Sequence, residues 1–276
     1  MTSAGKGDLP MRQTRLEPRR LRLKRFFARL RGDPGVKNQR VYRVEIGDRV
    51  YKRIVFDLPQ KAEDLGLRLK VFDGADVFPA YVAHQGPELW VEFIEGAPVN
   101  ALTPHGLSEL ARIFGTLYRK DPVERRIEEG PWLRDLEFDL DFLHGAGVLD
   151  LGLQAELKKR LIDWTPASVW IGYDYNDPRA ANLIECADGS HRFIDIESLQ
   201  GDRLLGEGAA KACYRWLGDD REEFISLLKE NPGPPVWDIL PFVELCSLAK
   251  WTRRSVLLQK PKLVQPSLFE ALLRHS

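Results

Sequence analysis

Two neighbouring stretches of the chain alternate between apolar and polar residues, as half-buried β-strands do. They cover 41–46 and 50–56, and a short turn that contains glycine separates them, so this part of the sequence predicts a β-hairpin. Apolar residues then recur at helical spacing over 60–72, while 78–83 and 89–94 read as two further strands. The predicted order is therefore strand, strand, helix, strand and strand.

Long amphipathic stretches replace this pattern after residue 97. They include 107–118 and 154–164, where apolar residues follow the period of an α-helix. No internal repeat is visible along the chain. The pattern thus predicts an α+β protein in which a small β-rich part precedes a larger, mainly helical part.

Composition predicts a folded, soluble protein. Of the 276 residues 43% are hydrophobic, yet no stretch approaches the roughly 18 apolar residues that a membrane span requires. The three cysteines show neither metal-binding nor disulfide spacing, and the Arg-rich start of the chain lacks the apolar run of a secretory signal. These features predict a cytoplasmic location.

Charge is unevenly distributed along the chain. The formal net charge is +0, which argues against a protein that coats nucleic acid, but residues 12–31 contain nine Lys or Arg beside the single acid Glu17. Within this range, 21–30 combines apolar and basic residues as a basic amphipathic helix does. Such a helix could touch an anionic lipid surface, which would place the protein at the inner face of a membrane, or it could touch an acidic partner or pack on the small β-rich part.

Acidic and amide side chains follow a distinctive order in the second half of the sequence. Asp177 and Asn182 lie five positions apart just before an apolar run, and Asp195 follows within a second apolar run. Such residues are common in turns, and alone they could simply flank a hairpin. Here, however, the sequence resembles the aminoglycoside phosphotransferase and choline kinase group of the protein kinase-like superfamily, whose motif has this order and spacing.

The resemblance implies an active site with a metal ion. Asp177 would meet the substrate hydroxyl as the catalytic residue, while Asn182 and Asp195 would hold magnesium (Mg²⁺) through oxygen atoms. Glu197, two positions beyond Asp195 in a stretch expected to be extended, would point to the same face and support the metal site or bind a water. Asp174 competes for the catalytic role, but it lies eight positions before Asn182 rather than five.

The same resemblance implies an ATP site in the first part of the chain. Lys52 matches the strand lysine that contacts the α- and β-phosphates, and Glu63 in the next helix would pair with it. Gly35 lies in a stretch similar to the phosphate loop of this group. The backbone carbonyl of Glu92 and the backbone amide of Ile94 would meet the edge of the adenine ring.

The implied fold is the two-lobed protein kinase-like fold. Residues 1–34 form a basic N-terminal segment, 35–97 the small β-rich N-lobe, and 98–276 the larger, mainly helical C-lobe. The Asp-Phe-Gly and Ala-Pro-Glu signatures that frame a protein-kinase activation loop are absent from the sequence. The implied activity is therefore transfer of the γ-phosphate of ATP to a hydroxyl of a small molecule, sugar or lipid head group.

Two departures from the family pattern leave other functions open. Tyr175 stands where the family usually has His, and the stretch around Gly35 lacks a full GxGxxG. These departures raise the hypothesis of a kinase-like binding or scaffold protein without turnover. The basic range 12–31 raises a further one, a membrane-surface kinase that acts on a cell-envelope glycolipid.

Overall fold

The computed structural model describes residues 11–16 and 39–274 of the chain, and these residues divide into two compact units. The first unit contains the described residues up to Gly96 together with 186–188 and 192–196. The second unit contains the remaining described residues. The basic helix predicted over 21–30 and the phosphate-loop residue Gly35 lie outside the described residues.

An antiparallel sheet of five strands forms the first unit, in the order β1-β2-β3-β5-β4. Its strands are β1 (Met11–Arg15), β2 (Arg40–Ile46), β3 (Arg49–Val55), β4 (Tyr81–Gln85) and β5 (Glu88–Glu92). One helix, α1 (Pro59–Val71), packs against β4 and β5. The predicted hairpin and helix are thereby confirmed, and the apolar side chains that share one face of α1 are buried.

The strand predicted over 78–83 starts later than the sequence pattern suggests. Val77 and Phe78 are buried, but regular strand structure begins only at Tyr81. Pro79 explains the shift because proline has no backbone N–H to donate to a strand ladder. Phe78 instead packs edge-to-face against Phe72, with ring centroids 5.7 Å apart.

Strand β1 was not predicted, because its residues were assigned to the basic N-terminal segment. It pairs with β2 at the edge of the sheet, from Met11 opposite Ile46 to Arg15 opposite Tyr42. Four of its five residues are exposed, so no face of the strand carries the alternating apolar pattern that identifies half-buried strands. Charged side chains, here Arg12 and Arg15, are common on edge strands, where they discourage pairing with other chains.

Helices dominate the second unit. They are α2 (Pro104–Tyr118), α3 (Trp132–Gly145), α4 (Leu151–Trp164), α5 (Glu207–Ala212), α6 (Arg221–Glu230), α7 (Leu240–Leu257) and α8 (Ser267–Arg274). A three-stranded antiparallel sheet accompanies them, made of β7 (Val123–Arg126), β8 (Ser168–Tyr175) and β11 (Leu199–Leu204) with β8 in the centre. Helix α2 packs on α6 and on β8, and α7 packs on α3, α5 and α8.

The helices predicted over 107–118 and 154–164 are confirmed, but each begins one turn earlier. The Thr103 hydroxyl accepts a hydrogen bond from the Gly106 amide at 3.1 Å, and the Asp150 carboxylate accepts one from the Leu153 amide at 2.7 Å. These N-caps satisfy backbone amides of the first turn. The residues of that turn show little apolar periodicity, so the sequence pattern did not include them in the predicted helices. None of the helices in the described part of the chain is long and apolar enough to cross a bilayer.

Three short strands lie where the chain passes from one unit to the other. They are β6 (Gly96–Pro98), β9 (Leu183–Cys186) and β10 (His191–Phe193). The chain therefore crosses between the units several times rather than once, so the single division after residue 97 that the sequence suggested is an approximation.

Candidate active site

The loop over residues 176–182 directly follows β8, the central strand of the second unit's sheet. The last residue of that strand, Tyr175, is fully buried and lies opposite Leu199 of β11. The Asn176 amide then donates a hydrogen bond to the Ser198 carbonyl at 2.8 Å. The 176–182 loop therefore starts from a fixed point, although Tyr175 occupies the position where the family usually has His.

Asp177 and Asn182, five positions apart in the sequence, contact each other within this loop. The Asn182 side-chain nitrogen donates to the Asp177 backbone carbonyl at 2.9 Å and lies 3.3 Å from Asp177 Oδ2. Because the amide nitrogen faces Asp177, the amide oxygen faces the other way. An oxygen in this position is the kind of ligand that Mg²⁺ prefers.

Two arginines contact the Asp177 carboxylate, and the sequence predicted neither. Arg215 Nη1 lies 2.9 Å from Asp177 Oδ1, and Arg179 forms an ion pair with Asp177 Oδ2. The Asp177 side chain is 24% exposed, so it remains reachable by a small molecule. Both carboxylate oxygens are nevertheless engaged by guanidinium groups in this structure.

Asp174, the competing catalytic candidate, serves the structure of the loop instead. Its side chain is 2% exposed, and it accepts hydrogen bonds from the Tyr175 amide at 2.7 Å and the Gly208 amide at 3.0 Å. The Tyr118 hydroxyl lies 3.4 Å from Asp174 Oδ1. Burial raises the pKa of Asp174 to about 7. Asp174 thus connects the end of β8 to the start of α5.

At pH 4, where Asp174 is protonated, we expect Asp174→Asn to lower the free energy of unfolding by about 1–3 kcal/mol, because the hydroxyl oxygen of the acid can still accept from one of the two backbone N–H groups, whereas an amide nitrogen in its place presents a second donor. The folded-state pKa of Asp174 lies above the unfolded value of about 3.9. Its stabilising contribution is therefore complete below about pH 4 and is lost as the pH rises through about 7. Urea unfolding from pH 4 to pH 8 should show the stability gap between wild type and variant narrowing, and a gap independent of pH would contradict this assignment.

Helix α5 contacts the 176–182 loop through Lys211. The Lys211 ammonium donates to Asn176 Oδ1, and burial lowers the pKa of Lys211 while the nearby Glu207 and Asp174 carboxylates oppose that effect. Glu207 itself forms ion pairs with Arg203 and, at 3.8 Å, with Lys250. Sequence reasoning missed Lys211, although a lysine among the small residues of 206–212 was a usable signal.

Lys52 lies on β3 in the first unit, opposite Arg43 of β2 and Val91 of β5. Its ammonium donates to the Ile194 backbone carbonyl at 2.7 Å. Asp195 is the next residue, so the predicted phosphate-binding lysine and one predicted metal ligand share a small region of this unit. Glu63, which the resemblance predicted to pair with Lys52, is exposed on α1.

The predicted adenine-binding residues lie at the end of β5. The Glu92 carboxylate accepts from Arg192 Nη1 and from the Ala80 amide, each at 3.1 Å. Ile94 is half-buried in the stretch that follows β5. These contacts hold the end of β5 in place. The backbone groups predicted to meet the adenine, the Glu92 carbonyl and the Ile94 amide, lie at and just after this end.

The conformation expected around Glu197 is wrong. Residues 196–198 form a 3₁₀ turn rather than an extended stretch, so the argument that alternation places Asp195 and Glu197 on one face does not apply. Ile196 and Leu199 are both buried, and their separation of three residues matches the repeat of a 3₁₀ turn. Glu197 is half-buried in this turn.

The metal prediction rests on donor chemistry rather than on an assembled cluster. Asn182 and Glu197 belong to the second unit and Asp195 to the first. Within residues 11–16 and 39–274, no group of three or more His, Cys, Asp or Glu side chains is arranged to hold a metal ion. An amide and two carboxylates are nonetheless the oxygen ligands that suit Mg²⁺.

Known structures resemble this chain along most of its length. No protein-family model matches the sequence, and no curated protein matches it. A macrolide 2'-phosphotransferase from Brachybacterium faecium is 13% identical with a TM-score of 0.59, over 92% of this chain and 97% of that one. A choline kinase from Cryptosporidium parvum is 14% identical with a TM-score of 0.54, over 96% and 88%.

A third similar structure contains a nucleotide analogue. It is a thermostable mutant of an aminoglycoside phosphotransferase in a ternary complex with AMP-PNP and hygromycin B, 13% identical with a TM-score of 0.57, over 95% of this chain and 93% of that one. These likenesses show that the chain has the two-lobed protein kinase-like fold, an α+β fold with a β-rich first part and a mainly helical second part. The resemblance inferred from the sequence is thereby confirmed at the level of the fold.

Proposed function

We propose that this protein is an ATP-dependent phosphotransferase that moves the γ-phosphate to a hydroxyl of a small molecule, sugar or lipid head group. The observation that carries the proposal is the 176–182 loop, in which Asp177 and Asn182 contact each other at the end of a buried strand. The fold supports it, since structures similar over nearly the whole chain are named as kinases and phosphotransferases of small molecules.

In this proposal Asp177 accepts the proton of the acceptor hydroxyl. The hydroxyl oxygen then bonds to the γ-phosphorus, and the bond from that phosphorus to the β,γ-bridging oxygen breaks with its electron pair leaving on ADP. The proton on Asp177 passes to water afterwards. A carboxylate that is partly exposed and held at the end of a rigid strand suits this role, because orientation supplies much of the rate.

The remaining predicted residues would bind the nucleotide. ATP supplies the phosphoryl group, and Mg²⁺ neutralises charge on its phosphates. Lys52 would contact the phosphates, and Asn182 and Asp195 would provide oxygen ligands for the metal, with Glu197 in support. Gly35 and Glu63 would assist at the phosphates. The backbone of Glu92 and Ile94 would meet the adenine.

One observation favours a second candidate function, a kinase-like binding or scaffold protein without turnover. Arg179 and Arg215 engage both oxygens of Asp177, so an acceptor hydroxyl would have to compete with a guanidinium group for either oxygen. A screen of ATP consumption over alcohols, sugars and amino alcohols separates the two functions. Measurable consumption with any of these acceptors supports the enzyme, whereas nucleotide binding without turnover supports the scaffold.

Nucleotide binding itself tests the proposed site. We expect Mg²⁺ and ATP together to raise the melting temperature, because a ligand that binds only the native state stabilises it by about 2.7 kcal/mol at a hundred times its Kd. The rise should vanish in Asp195→Ala and in the presence of a chelator. Asp48→Ala, an exposed position in the turn between β2 and β3, is the control and should behave as wild type. Equal stabilisation with the chelator present would contradict the metal site.

Location and membrane contact stay predictions. Arg12 and Arg15, the first basic residues of the range 12–31, belong to strand β1, and residues 17–38 lie outside the described part of the chain. A cytoplasmic location, peripheral association with an anionic membrane through this range and the expected lack of nucleic-acid binding therefore rest on the sequence pattern alone.

A further inference from the structure

A cavity of about 500 Å³ lies among the helices of the second unit. The segment Cys213–Leu217, the turn before α6, and helices α7 and α8 line it. A volume of this size accommodates a small organic ligand. No residue of the nucleotide site proposed above lines this cavity, so it is available for another molecule.

Arg215 connects this cavity to the 176–182 loop. It lies in Cys213–Leu217, a five-residue π-helical segment that follows α5, and segments of this kind often occur at functional sites. Its side chain lines the cavity, and its Nη1 atom lies 2.9 Å from Asp177 Oδ1. Its guanidinium carbon also lies 5.9 Å from the centre of the Trp251 ring, an arrangement that orients the planar guanidinium.

The charges around the cavity single out this arginine. Of the two arginines that line the cavity, Arg221 pairs with Glu244 at 2.7 Å and with Glu222, and both of those acids also line the cavity. Asp219 is exposed just before α6, where the helix dipole favours a negative charge. The acid that pairs with Arg215, in contrast, is Asp177, which is not part of the cavity lining.

We propose that this cavity holds the acceptor and that Arg215 selects an acceptor carrying an anionic group, a carboxylate or a phosphate, besides its reactive hydroxyl. The inference rests on the proposed function and names the substrate class of that site. An anion in the cavity attracts the Arg215 guanidinium and releases Asp177 Oδ1, while Arg179 still pairs with Oδ2. Asp177 Oδ1 can then accept a hydrogen bond from the acceptor hydroxyl, so binding of the correct acceptor orients that hydroxyl on the carboxylate.

A neutral or cationic acceptor lacks this effect. Separating a guanidinium from a carboxylate loses a charge-assisted hydrogen bond, and only another anion restores a bond of similar strength. With a neutral acceptor, Arg215 remains on Asp177. The pair formed by Arg215 and Asp177 thus discriminates between acceptors before any chemistry begins.

Calorimetric titration with four sugars that share one ring tests the selection directly. Glucose is the neutral probe, glucosamine the cationic one, and glucuronate and glucose 6-phosphate are the carboxylate and phosphate probes. We expect at least one anionic probe to bind the wild-type protein about tenfold or more tightly than glucose. Anionic probes that bind no more tightly than glucose, or glucosamine as the best ligand, would overturn the inference.

Two pairs of variants locate the effect. Arg215→Gln should reduce the affinity of the anionic probes to that of glucose, whereas Arg160→Gln, which alters a surface arginine paired with Glu156, should leave the preference intact. Ala271→Trp places a large side chain in the cavity and should weaken the binding of all four probes. Glu270→Trp, at the exposed neighbouring residue of α8, is its control. A preference that survives Arg215→Gln would overturn the role of Arg215, and probe affinities that Ala271→Trp leaves unchanged would overturn the assignment of the cavity.

The titrations are made without nucleotide, so they test the preference for anionic acceptors separately from the proposed function. Binding of Mg²⁺ and AMP-PNP is then measured on the same proteins. Lack of nucleotide binding contradicts the proposed function even if the anionic probes bind. Nucleotide binding without a preference for anionic probes contradicts only the present inference.

Discussion

Asp177→Asn is expected to lower the rate of phosphoryl transfer by about 10²–10⁴-fold, the usual effect of removing a general acid or base. The amide of Asn has nearly the same shape but cannot take up the acceptor proton. Binding of Mg²⁺ and AMP-PNP should remain close to wild type, because in the proposed mechanism Asp177 acts on the acceptor rather than on the nucleotide. The turnover number from ATP consumption and calorimetric binding of AMP-PNP measure the two quantities.

A matched control for this substitution is Asp163→Asn, which makes the same chemical change at an exposed position near the end of α4. Its turnover should equal that of wild type. Thermal unfolding of both variants checks that loss of the contacts between Asp177 and its two arginines has not unfolded the loop's surroundings. Unchanged turnover in a folded Asp177→Asn variant would remove Asp177 from the mechanism.

Gly208→Ala is expected to lower the free energy of unfolding by about 3 kcal/mol or more, at the upper end of overpacking effects. A Cβ atom at this position would lie 2.4 Å from Asp174 Oδ1, 2.5 Å from the Tyr175 carbonyl oxygen and 2.7 Å from Phe114 Cε1. All three groups are buried, and one is backbone, so the clash cannot be relieved by moving a flexible side chain. Urea unfolding at neutral pH gives the difference.

The control for Gly208→Ala is the same substitution in a helix with free space. A Cβ atom at Gly152, in α4, would meet only Asp150 Oδ1 at 3.4 Å. Because alanine favours the helix over glycine, Gly152→Ala should stabilise the protein by about 0.5–1 kcal/mol. If the two variants changed stability by the same amount and in the same direction, the close approach of α5 to β8 would not be what requires glycine at position 208.

The sequence predicted those features of the fold and site that depend on neighbouring residues. The hairpin of β2 and β3 follows from alternation within short stretches, and α1 follows from apolar residues at helical spacing. The spacing of Asp177 and Asn182 was also a local signal, and the contact between them, which was not predicted, closes a loop of only five positions. Sequence reasoning chose Asp177 over Asp174 by spacing alone, and it could not show that Asp174 is buried and bonded to two backbone amides.

Features that depend on distant residues could not be predicted in this way. Arg215 lies 38 positions from Asp177, and Lys211 lies 35 positions from Asn176. No periodic pattern connects such residues, and a lysine or arginine on a helix resembles any solvated charge in a sequence. Strand β1 was missed for a related reason, since its identity comes from pairing with β2 rather than from an apolar pattern of its own.

Helix α5 has a consequence for how the protein could be redesigned. Within six residues it provides Gly208, which leaves room for Asp174, and Lys211, which holds Asn176. Changes at these two positions would therefore disturb the loop and the stability together. Helix α8 lines the cavity with Leu268, Ala271 and Leu272. Libraries that vary these three positions while keeping 206–211 constant would explore new ligands of this cavity without altering the contacts between α5 and the 176–182 loop.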